Sequence, residues 1–346
     1  MNFKELTSLA RELSRGTAPT PINFTMEDGQ TLTVSPETME ETLREELFKL
    51  CSTPEGFKRH SLDLCTLIQE SVDVNLPPKV ERFFDGFAIT RQYGINDRPV
   101  FKVNDRRAMI NRGKTFVTLG TSAGVYEVFR LGQTREYTIH FMPIVAAIQV
   151  QFEEFITGRL SWNDLLAIIE EGMEDRIYEM VVAAMDKVAA SLPAANKGTA
   201  AAFDEAGRKE FEKVLATVGV YGQPVIFCTE LFAREITEGT DWASEEEKRA
   251  RRNVGYLANY KGARIVILPQ TFEDSTNSVK KVDDSKAYIL PGAQDGIINI
   301  CFQGPAQVRT VENEDWSHEL QTYKRVGVAV HSYNDMGTFE LTSLKA

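Results

Sequence analysis

Between Ser161 and Leu192 the apolar residues Trp162, Leu165, Leu166, Ile169, Met173, Ile177, Met180, Val181, Ala184 and Val188 recur at steps of three and four. That spacing stacks them on one face of an α-helix, so one face is buried. Ser161-Trp162-Asn163-Asp164 opens the run like a capping box in which Asp replaces the usual Glu, and Pro193 closes it. About 30 residues at 1.5 Å each span roughly 45 Å, longer than an average globular helix.

Downstream of this helix the chain has α/β character. Pro193 to Ala202 is a small-residue link that reads as a domain boundary. A helix is expected over Phe203–Val218, a strand over Pro224–Cys228 and a short helix over Glu230–Thr237. A further helix starts near Ser244, where Ser244-Glu245-Glu246-Glu247 forms a capping box and the acids precede Lys248, Arg249, Arg251 and Arg252. That charge order suits the helix dipole. After the turn at Gly262 come a buried strand (Ala263–Leu268), a polar surface loop (Gln270–Ser285) and strands at 286–290 and 296–303. From Gln307 the chain returns to β. Val326, Val328 and Val330 alternate with Gly327, Ala329 and His331, and Gly337–Thr342 is expected to pair with that strand through Asn334-Asp335-Met336.

The chain ahead of the long helix is less self-sufficient. Residues 2 to 15 form a short helix striped by Phe3, Leu6, Leu9, Ala10 and Leu13, ended by Gly16. Thr17–Pro21 and Glu27–Gln30 read as extended chain and turn. Ser35 caps a second helix with Pro36 at its first position, and a third is expected over Ser61–Val72. These pieces show no evident core of their own, as in an arm that completes its packing on neighbouring chains. Over 98–150, strands are expected at Lys114–Leu119, Val125–Leu131 and Arg135–Phe141, separated by Gly120-Thr121-Ser122-Ala123-Gly124 and Gly132-Gln133. An isolated β ribbon is marginally stable and needs a surface to lie on.

The totals narrow the function classes. A length of 346 residues accommodates two domains. With 39 basic against 50 acidic residues the formal charge is −11, which argues against strong binding to a nucleic-acid backbone but not against loose enclosure of DNA. Cys51, Cys65, Cys228 and Cys301 are widely spaced and read as reduced, buried thiols. The start of the chain lacks the basic-then-apolar pattern of a signal peptide, and no apolar run approaches the roughly 20 residues that cross a bilayer. Asn23-Phe24-Thr25 fits a glycosylation sequon, which has no meaning in a cytoplasmic protein.

Catalytic constellations are not apparent. Gly113-Lys114-Thr115 matches the end of a phosphate loop, but Ala108 stands where its first glycine belongs, and no helix comes after it. His60, His140, His318 and His331 have no metal-ligand spacing. Glu170, Glu171, Glu174 and Asp175 lie mainly opposite the apolar stripe and read as a solvated face or an inter-subunit contact rather than a metal site. The 20 Phe and 10 Tyr do not interleave with a basic stripe, as a single-strand binder's would. No catalytic, cofactor-binding or metal residue is assigned, and no cofactor is expected.

The order of arm, β excursion, long helix, α/β segment and terminal β resembles the HK97-type major capsid proteins of tailed bacteriophages. Tyr260-Lys261-Gly262-Ala263-Arg264-Ile265-Val266-Ile267-Leu268-Pro269 looks like that family's axial-domain strand, and Lys324-Arg325-Val326-Gly327-Val328-Ala329-Val330 like its penultimate peripheral-domain strand. The resemblance covers about residues 98 to 346 and is strongest from Trp162 onward. It implies an α+β HK97-like fold: an N-terminal arm over 1–75, an extended loop (E-loop) over 98–142, a peripheral domain made of 76–97, 143–199 and 304–346 with a spine helix at 161–192, and an axial domain over 200–303.

The function so implied is a major capsid protein, not an enzyme, that self-assembles into pentamers and hexamers of an icosahedral head enclosing double-stranded DNA. The implied partners are other copies of the chain, with portal, scaffolding or decoration proteins; DNA is touched weakly and non-specifically, and no membrane is involved. The implied location is the virion, after assembly in the bacterial cytoplasm. No large cleaved N-terminal segment is expected, nor a Lys–Asn cross-link at Lys114. Three rival readings stand beside it: an encapsulin-like protein compartment of the same fold, an α/β enzyme whose site gathers Cys228, His331 and Asp335, and a tail or adaptor protein of a phage, which the long helix and the α/β segment argue against.

Overall fold

The computed structural model describes residues 6–7, 9–10, 22–25, 31–34, 39–51, 53–84, 88–103, 135–149, 162–238, 255–272, 276–292, 298–312, 318–330 and 335–345. The chain divides into two compact units. The first comprises Met1–Pro99, His140–Tyr178 and Asn299–Val328, and the second Val100–Ile139, Glu179–Ile298 and Ala329–Ala346.

In the first unit, Leu6, Thr7, Leu9 and Ala10 are helical and buried. Strands β1 (Ile22–Thr25) and β2 (Thr31–Val34) form an antiparallel hairpin. Helix α1 (Met39–Cys51) precedes α2 (Pro54–Phe83). Thr53 caps α2, its hydroxyl accepting from the Gly56 amide at 3.1 Å, with Pro54 in the first turn, where a missing N–H costs nothing. The helix is much longer than the expected Ser61–Val72 and runs through Pro77 and Pro78. Interior prolines remove hydrogen bonds and strain a helix. Here the fully buried Leu76, Val80 and Phe84 hold the turns around them by packing.

That packing serves a four-stranded sheet in the order β3 (Ala88–Tyr93), β12 (Ile298–Glu312), β13 (His318–Val330), β6 (Met142–Gln149). β6 lies antiparallel to β13, from Met142 opposite Val326 to Gln149 opposite Glu319. Along β13 the two-residue period is clear: Leu320, Thr322, Lys324 and Val326 are buried, whereas Gln321, Tyr323 and Arg325 are less covered. Asp73 of α2 fastens helix to sheet. Its two carboxylate oxygens accept from the Ala306 amide at 2.8 and 2.9 Å, and Lys324 Nζ donates to one of them. The long helix is α3 (Trp162–Ser191), within one residue of its expected span at each end. Its early turns bury Leu166, Ile169, Met173, Ile177 and Tyr178 in this unit, where Tyr178 meets the Phe83 ring edge-on at 5.7 Å.

The second unit holds a six-stranded sheet in the order β7 (Lys197–Ala200), β14 (Gly337–Leu341), β11 (Lys286–Pro291), β8 (Pro224–Cys228), β10 (Ala263–Ile267), β9 (Asn259–Tyr260). β8–β10 and β7–β14 are parallel pairs; the others are antiparallel. Helix α4 (Glu205–Gly219) starts at Asp204, whose carboxylate accepts from the Gly207 amide at 2.8 Å. α5 (Glu230–Thr237) comes after β8. Phe211, Val214 and Val218 of α4 and Phe232 and Ile236 of α5 pack with Ile226, Tyr260, Ile289 and Phe339 into one core. The fit is close: a Cβ on Gly337 would sit 2.7 Å from a Val214 methyl and 2.9 Å from one of Val218. The later turns of α3 bury Val181, Val182 and Met185, and Asp186 accepts from the Tyr288 hydroxyl at 2.8 Å. β4 (Val100–Val103) and β5 (Arg135–Thr138) pair antiparallel in this unit.

Several sequence expectations are corrected. Gly337–Leu341 does not pair with the Val326–Val330 strand; it lies between β7 and β11, so the chain end joins the α/β unit instead of the 304–346 peripheral segment. The link 193–202 contains edge strand β7. The strand expected at 296–303 is the much longer β12, and it belongs to the four-stranded sheet. The strand expected over Arg135–Phe141 stops at Thr138. The helix α2 passes through residue 75, the expected end of the arm. The strands expected at 114–119 and 125–131, and the helix from Ser244, lie outside the described residues.

Candidate assembly surfaces

The first candidate surface is one face of the four-stranded sheet in the first unit. Val145, Gln307, Val308, Arg309, Gln321 and Tyr323 line a depression of about 360 Å³ there. Its polar groups are already oriented by one another. Arg309 Nε donates to Gln321 Oε1 at 2.9 Å, Gln321 Nε2 to Glu319 Oε2 at 3.3 Å, and Arg325 Nε to the Tyr323 hydroxyl at 2.7 Å. Beside them Val145 on β6 is 55% exposed, on the same face as the exposed Pro143 and Ala147. Amide and guanidinium groups flanked by an apolar ridge suit an extended peptide.

The ribbon base is the second surface. Val100 lies opposite Thr138 and Val103 opposite Arg135, so β4 and β5 bring the two ends of the 104–134 segment side by side. Lys114 and Gly113-Lys114-Thr115 lie outside the described residues.

The acidic group on α3 divides. Glu171 and Asp175 are exposed, as expected. Glu170 and Glu174 are a correction: Glu170 is buried and Glu174 half-buried, turned toward α2. Lys79 Nζ lies 3.8 Å from Glu170 and 3.7 Å from Glu174, and Asn75 donates to Glu170 at 3.3 Å. Burial, foremost, raises both carboxyls above their usual range, and the one lysine they share only partly counteracts it. The sequence pattern missed this because α2 supplies a polar partner on the flank of the apolar stripe.

Of the residues of the enzyme reading, Cys228 and Asp335 lie within the described residues. Cys228 is fully buried within the core of the six-stranded sheet, and desolvation pushes its thiol far above the usual range. Asp335 is half-buried, and His331 lies outside the described residues. Burial also pushes the Cys301 thiol up to about 11, against the opposing charge of Arg91. His60 bonds to Asp63 at 3.1 Å on the surface of α2, and His140 is exposed. Among the described residues no group of His, Cys, Asp and Glu has the arrangement of a metal site, and no helix is long and apolar enough to cross a membrane.

A surface the sequence reading passed over is β6 itself. Its signal was present: Met142-Pro143-Ile144-Val145-Ala146-Ala147-Ile148-Gln149 carries no charge.

Comparison with protein families gives a match over residues 29–340 to the model described as "SPbeta prophage-derived putative capsid protein YonB". Comparison with curated proteins gives no match. Among solved structures, the capsid of the cyanophage P-SCSP1u is similar, with a TM-score of 0.50 and 11% identity over 75% of this chain and 86% of that one. The mature capsid of bacteriophage PhiM1 gives 0.46 and 12%, covering 75% and 87%. The SrpI encapsulin of Synechococcus elongatus gives 0.44 and 11%, covering 77% and 88%. The cyanophage likeness and the α+β architecture establish the fold as the HK97 type.

Proposed function

Because this chain belongs to the family of the SPbeta prophage-derived capsid protein YonB, and is a capsid protein of the HK97 fold, we propose that it is the major subunit of a phage head, closing as pentamers and hexamers around double-stranded DNA. Assembly takes place in the bacterial cytoplasm, with portal, scaffolding or decoration proteins joining the shell. The polypeptide acts by presenting surfaces, and it carries out no reaction.

The observation that carries this reading is the pairing of β4 with β5 at the root of residues 104–134. It supports assigning 98–142 as the E-loop, a ribbon that leaves its own subunit and lies on the next. In the same scheme α3 is the spine, the four-stranded sheet is the peripheral domain and the six-stranded sheet lies in the axial domain. The arm centres on the β1–β2 stretch, since α1, through Met39, Leu43 and Leu47, and α2, through Leu67, Val72 and Leu76, are both buried in the first unit. A shell requires one chain to make several modest contacts that close by symmetry. The charge of −11 keeps the inner wall from clamping DNA.

Electron microscopy of the purified protein, with its nucleic-acid content assayed, tests the proposal. Closed icosahedral shells that contain DNA when isolated from phage-producing cells are expected. Shells filled with protein would indicate a compartment, and a stable monomer under all assembly conditions would reject the reading.

A further inference from the structure

Among the described residues the two larger sheets end in four edge strands, and three are protected against pairing with another chain. β7 has only four residues and carries Lys197, β9 has only two residues, and β3 carries Arg91. Short length and charge are the usual means of blunting a sheet edge. The fourth, β6, has neither. It runs for eight residues, about 26 Å at the usual strand rise, with no charged side chain. Pro143 lacks an amide hydrogen but lies near one end, leaving the alternate amides of Ile144–Gln149 that point away from β13 able to donate. Among the described residues, no strand pairs with β6 on the side away from β13. Met142, Pro143, Val145 and Ala147 are all exposed. Left uncovered, such an edge invites aggregation.

The same chain contains the complementary element. β1 and β2 form a two-stranded sheet, and an isolated hairpin is marginal in water. Ile22-Asn23-Phe24-Thr25 and Thr31-Leu32-Thr33-Val34 alternate apolar and polar residues without a charge, so nothing in their sequence opposes strand addition. Among the described residues, an uncharged hairpin with no further strand and an uncharged sheet edge with no further strand satisfy each other.

We propose that in the assembled shell the free edge of β6 is extended by the β1–β2 hairpin of a second copy of this chain. The proposal rests on the shell-forming reading and adds which strand edge is used and by which segment. Backbone hydrogen bonds along the edge supply the attachment, and the adjacent Val145–Tyr323 depression receives side chains of the incoming strand.

The test is interchain disulfide coupling in shells built from two variants mixed in equal amounts. One carries Ala147→Cys, and the other carries, in turn, Asn23→Cys, Thr31→Cys or Thr33→Cys; each variant alone serves as the control. A product joining the two variants, present in shells and lost on dissociation before oxidation, is expected for at least one hairpin position. Shells that form normally without any such product would overturn the β6 assignment and leave the capsid reading intact. Absence of shells from the unsubstituted chain would overturn both. As a second arm, Ala147→Lys places a charge on the edge. Shell yield is expected to fall at least tenfold with subunit thermal unfolding unchanged, whereas undiminished yield would overturn the proposal.

Discussion

Lys324 Nζ lies 2.5 Å from an Asp73 carboxylate oxygen, and the lysine side chain is only 5% exposed. The same ammonium donates to the Gly304 carbonyl at 2.9 Å, where β12 turns through a positive φ of 68°. Asp73 in turn receives the Ala306 amide. One charged pair thus joins a helix to two strands. Removing one member of a buried pair leaves the other uncompensated, at a cost of about 3–5 kcal/mol. Lys324→Met is expected to lower the stability of the unassembled subunit by about 3 kcal/mol, read as a lower urea midpoint at unchanged slope. A midpoint within experimental scatter of the parent would show the pair to be dispensable.

Glu170 and Glu174 make stability depend on pH in a definite direction. Their folded pKa values are raised above the unfolded value of 4.5, with burial as the main cause. The protonated forms are therefore favoured by folding. Their stabilising contribution is fully present below pH 4.5 and is lost as pH rises through the raised values. The groups facing them are Asn75 and Lys79 of α2 and Glu171 and Asp175 on α3 itself. Glu170→Gln is expected to flatten the fall in subunit stability just above pH 4.5, with denaturant midpoints across about pH 4–7 as the readout. An unchanged slope would remove this pair as its source.

Two glycines should respond oppositely to alanine. Gly172 lies inside α3, and a Cβ there meets nothing within 4 Å. Alanine is better than glycine in a helix by about 0.5–1 kcal/mol, so Gly172→Ala should raise the melting temperature. At Gly337 the added methyl collides with Val214 and Val218, and overpacking costs about 1–3 kcal/mol. Calorimetry of the two variants should give shifts of opposite sign.

Deleting residues 114–131 and closing the gap with a short Gly-Ser link tests the ribbon. Soluble subunits that unfold normally but form no closed shells are expected by light scattering and microscopy. Normal shells would remove residues 98–142 from the assembly contacts.

The legible parts of the sequence were those whose signals are local. Asp164 near the start of α3 and Pro193 after it bracketed a continuous stripe, and the helix lies within a residue of its expected ends. Pro224–Cys228 and Glu230–Thr237 matched throughout, since a short apolar β-type run and the periodicity of the segment after it are local signals. Pairing over long distances was not legible. Gly337–Leu341 has the pattern of a strand but nothing in it names Lys197–Ala200 and Lys286–Ile289 as neighbours. Glu170 looked solvated because its partners, Asn75 and Lys79, belong to a helix whose extent was masked by Pro77 and Pro78. The uncharged edge of β6 was visible in composition but acquired meaning only as the last strand of its sheet among the described residues.

The bonds from Asp73 to Ala306 and Lys324 span 233 and 251 positions of chain. During synthesis α2 is therefore made long before the strands that hold it, and its proline-bearing turns have no sheet to rest on until β12 and β13 emerge. Contacts of such wide separation form late. A ribosome-bound chain that has not yet reached Val326 cannot present a finished first unit to its neighbours, so the order of translation itself delays shell growth until the subunit is nearly complete.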